Sequence, residues 1–323
     1  MRRFLARRLA HGAAVIFIAA SLSFLLVHLA PGDPFSTTLD SAAISPSVKA
    51  TWRAAYGLDR PLLEQYLRFL GQLARGNLGP SLLQPGPASA ALADAVPNTL
   101  VLMGTALVLT FVIGIAVGSW QAARVGSRAD RVVGNASLVI ASLPEFWLAA
   151  VLLLVFALRF RVFPAAGVVD LVMHDSLSPA GRVFDRLRHL ALPSLTLALL
   201  GSASIARYQR AALLDVLPQD FIRTARAKGV TDRLVLWRHG LRNALVPTIV
   251  LLGLSLPTLL GGAVFVEQVF AWPGLGRLAA AAFHARDYQV VIGATIMGAV
   301  LVVAGGILAD LLHAAVDPRV RAQ

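Results

Sequence analysis

Residues 223–247, RTARAKGVTDRLVLWRHGLRNALVP, crowd six Arg or Lys with one Asp and one His between two long apolar runs. Such a segment offers ion pairing with acidic groups and little else. Its lone His239 has no second His or carboxylate at ligand spacing and reads as a structural hydrogen-bonder. Elsewhere the residue types that do catalysis are dispersed. His11, His28, His174, His189, His239, His284 and His313 form no H-E-x-x-H pair, and no G-x-S-x-G elbow occurs. The chain has no cysteine, which removes thiol nucleophiles, thiolate metal sites and disulfides. Its two lysines, Lys49 and Lys228, lie in SVKA and RAKG, without the glycines of a phosphate-cradling G-x-x-x-x-G-K-[ST] loop. The expectation is a chain without a catalytic or metal centre and without a nucleotide site of its own.

Glu145, in SLPEFW, is the acidic residue that stands out. It falls inside an apolar run, where a charge costs about 2.5–3.5 kcal/mol at the centre of a membrane helix. It must therefore face a cavity or a partner. Two roles stay open: contact with a substrate, such as the positive amino end of a peptide, or a paired or protonated structural carboxyl.

The elements that position these residues follow from composition. Hydrophobic residues make up 57% of the chain and charged residues 14%, against about 25% charged in soluble domains. Mean hydropathy is +0.71. These values point to a polytopic membrane protein. About 20 helical residues cross the ~30 Å hydrocarbon core, and six stretches qualify: about 9–30, 98–121 with Pro97 as first helical residue, 133–157, 190–207, 246–266 and 290–314. The first is too long for a signal-peptide core and lacks a small-residue cleavage site after HLAPGDP, so it is read as a retained helix.

The net charge of +12 matches no known basic-plus-aromatic nucleic-acid module, so nucleic acid is not an expected partner. It fits loops and lipid headgroups instead. With the N-terminus inside, the inner segments 1–8, 122–132, 208–245 and 315–323 collect Arg2, Arg3, Arg7, Arg8, Arg124, Arg128, Arg131, seven basic residues between Arg210 and Arg242, Arg319 and Arg321. The outer segments 31–96, 158–189 and 267–289 are longer in sum and poorer in basic residues, as the positive-inside rule requires. Both termini are then cytoplasmic. In 31–96, LLEQYLRFLGQLAR sets Leu63, Tyr66, Leu67, Leu70 and Leu73 on one stripe of a helix, between the turns YGLDRP and GNLGPSL. That helix lies on the outer membrane surface or docks an external partner. Segment 158–189 shows no clear pattern. Glu267 and WPGLG mark the outer end of the fifth span.

Within the basic segment, Pro218 ends a helix continuing from the fourth span. Asp220 caps a short helix, FIRTARAK, which Gly229 terminates, and Thr231 caps a second helix to about 245, before Pro247 opens the fifth span. On the second helix Leu234, Trp237 or Arg238, Leu241 and Leu245 form the expected apolar face. Gly229 reads as a helix stop or as the turn of a docking element. Arg226, Lys228 and Arg233 read as partners for acidic groups or as part of the positive-inside bias. Small Ala225 and Ala227 would let the first helix enter a groove closely.

TARAKG…HGLRNALVP resembles the cytoplasmic coupling loop of bacterial ABC importer permeases. That family's general pattern is Glu-Ala-Ala, three residues, Gly and, further on, Pro. Aligned on Gly229, this chain has Arg223-Thr224-Ala225 in the place of Glu-Ala-Ala, similar to the variant of the dipeptide/oligopeptide/nickel branch and unlike the sugar permeases. RRLAHGAAVIFIAASLSFLLVHLAPGDP, YGLDRPLLEQYLRFLGQLARGNLGPSL, VEQVFAWPGLGRLAAAAFHARDYQVV and ADLLHAAVDPRVR are similar to the same branch in the same order, over nearly the whole chain.

The resemblance implies an all-α, six-helix type I permease. Helix one and an external segment fill 1–94, a five-helix core with coupling loop 208–245 fills 95–314, and a cytoplasmic tail fills 315–323. It implies Asp220, Arg223, Thr224, Ala225, Arg226, Ala227, Lys228, Gly229, His239, Asn243 and Pro247 as the coupling loop on which a separate ATPase docks, with ATP and Mg held by that ATPase. The implied partners are a second, different permease, two ATPase subunits or domains, an external solute-binding protein and membrane lipid, in a bacterial cytoplasmic membrane. The implied cargo is di- or oligopeptide. Nickel, glutathione or another small solute is the alternative with the same machinery. An ion-coupled secondary transporter is the alternative of another class; it calls for paired intramembrane charges and inverted repeats.

Overall fold

A computed structural model describes residues 2–29, 60–81, 83–259 and 263–316. The expected break at 31–34, most of the YGLDRP turn, and Arg319 and Arg321 of the tail lie outside the described residues. Among the described residues every regular element is helical, with one isolated antiparallel bridge between Pro80 and Pro87. In chain order the helices are α1 (Arg2–Leu29), α2 (Leu62–Leu73), α3 (Ala88–Ala122), α4 (Arg128–Ser142), α5 (Glu145–Leu152), α6 (Pro179–Val216), α7 (Asp220–Ala227), α8 (Asp232–Leu234), α9 (Leu241–Leu259), α10 (Val264–Val269), α11 (Leu275–His284) and α12 (Tyr288–Val316).

Four helices are long and apolar enough to cross a membrane: Ala6–Leu29 within α1, α3, α6, and Tyr288–Leu311 within α12. The predicted third span is broken. The α4 helix stops at Ser142, and Leu143, forced out of the helical region by the proline after it, is extended at φ −75°, ψ 138°. Helix α5 starts again at Glu145 and runs into a π-helical turn, Leu153–Arg159, and the two halves meet at 108°. The predicted fifth span at 246–266 crosses residues 260–262, outside the described residues, with α9 before it. The described residues thus hold four helices of spanning length and one sharply bent helix pair, a broken span or a re-entrant loop, where six spans were expected. Pro97 does not open α3; the helix begins nine residues earlier and carries Pro97 in its interior. Segment 158–189, unpatterned in the sequence, holds the first three turns of α6, opened by Ser178, whose hydroxyl accepts the Gly181 N–H at 3.2 Å, and by Pro179 at the first helical position.

The chain divides into two compact units, Arg2–Pro97 with Gly274–Leu301, and Asn98–Pro273 with the residues from Val302 onward. In the first unit α2 lies on α1. Tyr66 and Ser21 share a hydrogen bond of 2.6 Å, His28 Nε2 lies 3.1 Å from Gln65 Oε1, and Phe24 stacks on Phe69. The contact face of α2 is thus Gln65, Tyr66, Phe69 and Leu73, while Leu63 and Leu67 of the predicted stripe point outward. Fully buried Asp287 accepts the Ser81 hydroxyl at 2.6 Å and the Leu83 N–H at 2.9 Å, tying the turn after α2 to the start of α12.

The second unit has three apolar clusters. Leu102 and Met103 of α3, Ala149 of α5, Leu190 and Leu192 of α6, and Val266, Phe270 and Trp272 form the largest. Leu107, Phe111 and Ile205 form a second between α3 and α6. Along α3, Val101, Val108 and Val112 stay exposed beside buried Leu102, Ala106 and Phe111, as expected of a helix with one face toward lipid. Helices α3 and α6 approach so closely at Gly118 that a Cβ there would lie 2.3 Å from the Ala206 carbonyl oxygen. The third cluster holds the basic loop.

Candidate functional site

Helix α6 does not stop at the end of the apolar run. It continues to Val216, and α7 folds back beneath it. Ile222 and Ala225 of α7 are buried against Leu213 and Val216 of α6 and against Val235 and Ala244 of the following helical arm. Ala225 is therefore part of this chain's own packing and is not free to enter an external groove; Ala227, two residues on, is exposed. Gln219, not Asp220, holds the position before α7, with no side-chain cap. Asp220 is the first helical residue, its carboxylate almost fully exposed and 3.4 Å from Arg223 Nη1, while its carbonyl accepts the Thr224 hydroxyl at 2.9 Å. A carboxylate in the first turn still suits the positive end of the helix.

Gly229 ends α7 as expected, at φ +80°, a conformation that side chains with a Cβ resist. Its N–H donates to the Arg226 carbonyl at 2.9 Å and the Val230 N–H to the Ala225 carbonyl at 3.2 Å, the paired bonds of a Schellman turn. Val230 packs onto the Ile222–Ala225 cluster, completing that motif with its apolar contact. Lys228 sits at the exposed end of α7. Across the turn, Arg226 Nε donates to Asp232 Oδ1 at 3.0 Å. Arg226 is thus engaged within its own loop, at an exposed position.

The second arm is not a separate helix ending at 245. Asp232–Leu234 leads into a π-helical turn, Val235–Gly240, then into α9, which continues through Pro247. Thr231 precedes it without a side-chain cap. A π turn inserts a residue and rotates everything after it. A 3.6-residue count through it therefore picks the wrong face. Val235, Gly240, Ala244 and Thr248 face inward, whereas Leu234 and Trp237 are exposed, the latter by 48%. His239 is half-buried and its backbone carbonyl accepts the Asn243 side-chain amide at 2.8 Å.

Three features of the site went unread in the sequence. Buried Thr248 donates to Gln209 Oε1 at 2.7 Å, fixing α9 to α6. Asp130 of α4, 5% exposed, accepts Arg210 Nε at 3.0 Å, Arg210 Nη2 at 2.8 Å and the Gly126 N–H at 3.1 Å. Gly118 makes the close α3–α6 contact described above. No local pattern marks such pairs, since 80 residues separate Asp130 from Arg210. The loop is thus a two-armed element, keyed inward by aliphatic groups and presenting Phe221, Arg223, Thr224, Leu234 and Trp237 outward.

Glu145 is not at a helix centre. It is the first residue of α5, just past the bend, half-buried, with Oε1 shielded from solvent and without a hydrogen-bond partner. Its neighbour Phe146 lies 6.3 Å, ring to ring, from Phe265. Glu267, placed by sequence at the outer end of the fifth span, is fully buried and accepts the Thr99 hydroxyl at 2.8 Å. Trp272 and Asn98 close the WPG turn, the indole N–H donating to the Asn98 carbonyl and the Asn98 amide to the Pro273 carbonyl, each at 3.0 Å.

Known proteins resemble this chain over its whole length. The family described as Binding-protein-dependent transport system inner membrane component matches residues 111–322, and its N-terminal companion matches residues 1–102. The oligopeptide transport system permease protein AppB of Bacillus subtilis is 40% identical over 321 residues, covering 99% of both chains. The di/tripeptide transport system permease protein DppB of Pseudomonas aeruginosa is 36% identical over 335 residues, covering 100% of both, and DppB of Escherichia coli is 34% identical over 336 residues, covering 99% of both. Among solved structures, an inward-facing conformation of the MetNI methionine ABC transporter has a chain matching with a TM-score of 0.51 at 24% identity, over 72% of this chain and 95% of that one. That likeness concerns the fold alone.

Proposed function

Because the chain belongs to the binding-protein-dependent transport system inner membrane component family, we propose that it is a permease subunit of an ATP-driven importer of di- and oligopeptides. The peptide class rests on the full-length relatives, which are peptide permeases by name. One structural observation carries the mechanism: the loop from Asp220 to Pro247 is locked to α6 and α9 from within, through Ile222, Ala225, Val235 and Thr248, and exposes a mixed cationic and aromatic outer face. A load applied to that face by a separate ATPase moves α6 and α9 with it. Rigid-body tilting of packed helices is the ordinary way such a load becomes alternating access. ATP and Mg reside on the ATPase. A second permease completes the pathway, an external solute-binding protein delivers cargo, and residues 1–94, 95–314 and 315–323 are the peripheral part, the core and the cytoplasmic tail. The loop and both termini face the cytoplasm. Glu145, at the bend, receives the cationic amino end of the cargo.

Cysteine accessibility tests this reading, since the chain has no cysteine to confuse it. A single cysteine replacing exposed Ala227 reacts with a membrane-impermeant maleimide in inside-out vesicles and becomes protected when the ATPase subunits are bound. Labelling from outside intact cells, or no protection, overturns the docking assignment.

A further inference from the structure

We propose that a groove between the end of α3 and the α7–α8 arms binds the phosphate of an anionic phospholipid headgroup. The groove has a volume of about 620 Å³ and runs from Trp120, in the last turn of α3, and Arg124, in the turn that follows, to Arg226, Arg233 and Trp237 of the loop. Its acid, Asp232, is taken by Arg226 at 3.0 Å. Among the described residues Arg124 and Arg233 have no carboxylate partner, so the groove carries two uncompensated guanidinium groups. The Arg124 guanidinium carbon lies over the Trp120 ring, 4.6 Å from its centre. Stacking leaves the N–H edge of a guanidinium free, and that edge fits the oxygens of a phosphate in pairs.

Several observations select a lipid over a soluble anion. Helix α3 is an apolar membrane-spanning helix, and its last turn places Trp120 where interfacial tryptophans sit. Leu217 and Leu236 give the groove apolar walls, suited to the glycerol and upper acyl carbons beneath a headgroup. Basic pockets between membrane helices on the cytoplasmic side are the usual seats of anionic headgroups. A phosphate here would bridge Arg124, on the turn after α3, and Arg233, on the coupling loop. The membrane's content of anionic lipid would then bias the loop's position, a dependence separate from cargo and from ATP. The inference rests on the loop facing the cytoplasm. Lipid retention is read without regard to sidedness, so failure of the orientation and failure of the site give different results.

The test uses the transporter purified with its partner subunits and reconstituted in phosphatidylcholine nanodiscs with added phosphatidylglycerol. Native mass spectrometry counts the phosphatidylglycerol retained on extraction. Arg124→Gln, an exposed position outside the coupling loop, lowers retention by about fivefold, the worth of one basic contact at a membrane surface; Arg124→Lys lowers it less. Equal retention by wild type and Arg124→Gln overturns the site. Displacement of the lipid by millimolar inorganic phosphate identifies a free-anion site and also overturns it. Loss of the ATPase subunits from Arg124→Gln with lipid retention unchanged assigns the groove to a protein partner, and overturns it as well.

Discussion

Arg210 on α6 grips Asp130 on α4 through two parallel hydrogen bonds, Nε to Oδ1 at 3.0 Å and Nη2 to Oδ2 at 2.8 Å. Planar, bidentate pairing of this kind fixes orientation as well as distance. The Asp130 carboxylate is nearly buried and the guanidinium about one-third exposed, so the pair is partly shielded from water and salt. It joins the start of α4 to α6 seven residues before the α6–α7 link. A load on the loop therefore reaches α4 as well as α6.

Breaking this pair weakens both stability and coupling. Asp130→Asn loses a charged acceptor and leaves Arg210 partly buried and unmatched, a cost of about 1–3 kcal/mol. Thermal unfolding in detergent drops, and uptake per ATP hydrolysed falls with it. The exchanged pair Asp130→Arg with Arg210→Asp recovers part of both. A double exchange no better than the single variants shows that the other contacts to Asp130, from the Gly126 N–H at 3.1 Å and from the Gln121 side-chain amide to the Asp130 carbonyl at 3.3 Å, carry the joint, and not the ion pair.

Gly229→Val places a branched side chain in the left-handed region, at about 1–2 kcal/mol. The space around Gly229 is open, so the effect is conformational and not steric. The variant inserts in the membrane at normal level, while ATP-driven uptake falls. Gly229→Asn, which tolerates that conformation, retains more uptake than the valine variant. Full uptake by the valine variant removes the turn from the coupling mechanism.

Gly118→Ala adds one methyl group at the tightest contact between α3 and α6. Backbone lies on the other side, so relief requires the helices to separate, and overpacking costs about 1–3 kcal/mol. The melting temperature of the purified complex falls, in contrast to Gly104→Ala on the same helix, where a Cβ meets open space. Equal melting temperatures would refute the close approach.

Glu145→Gln tests the cargo contact. A carboxylate with one unpartnered shielded oxygen has capacity for a cationic donor, and a charge-assisted hydrogen bond is worth about 1.5–3 kcal/mol. Uptake of peptides with a free amino terminus falls roughly tenfold relative to their N-acetylated forms. An unchanged ratio between the two substrates removes Glu145 from the pathway.

Much of the site was legible in one dimension because its signals are local. Gly229, following a short helix-forming run and preceding another, signals a helix-ending turn, and the charges around it signal a polar loop. Pro144 announced weakened helix bonding, although the size of the bend, 108°, could not be read from it. The inward face of the second arm was misread for one reason: a π turn at 235–240 has no sequence signature as plain as a proline or a glycine, yet it shifts every later side chain. Asp220 was misplaced by one position because its side chain suits a cap that the backbone gives to Gln219.

The sequence by itself determined an apolar, all-helical membrane chain, the basic loop with its glycine turn, and the resemblance that family membership bears out. Hydropathy, backbone preference and charge act residue by residue, and a linear string records them. Only the tertiary structure decided that Asp130 meets Arg210, that Thr248 meets Gln209, that Gly118 admits the Ala206 carbonyl, and that Glu267 is buried on Thr99. Each of these depends on how far a helix is rotated about its axis and how closely its neighbour comes, quantities set by all the packing contacts together and carried by no single stretch of chain.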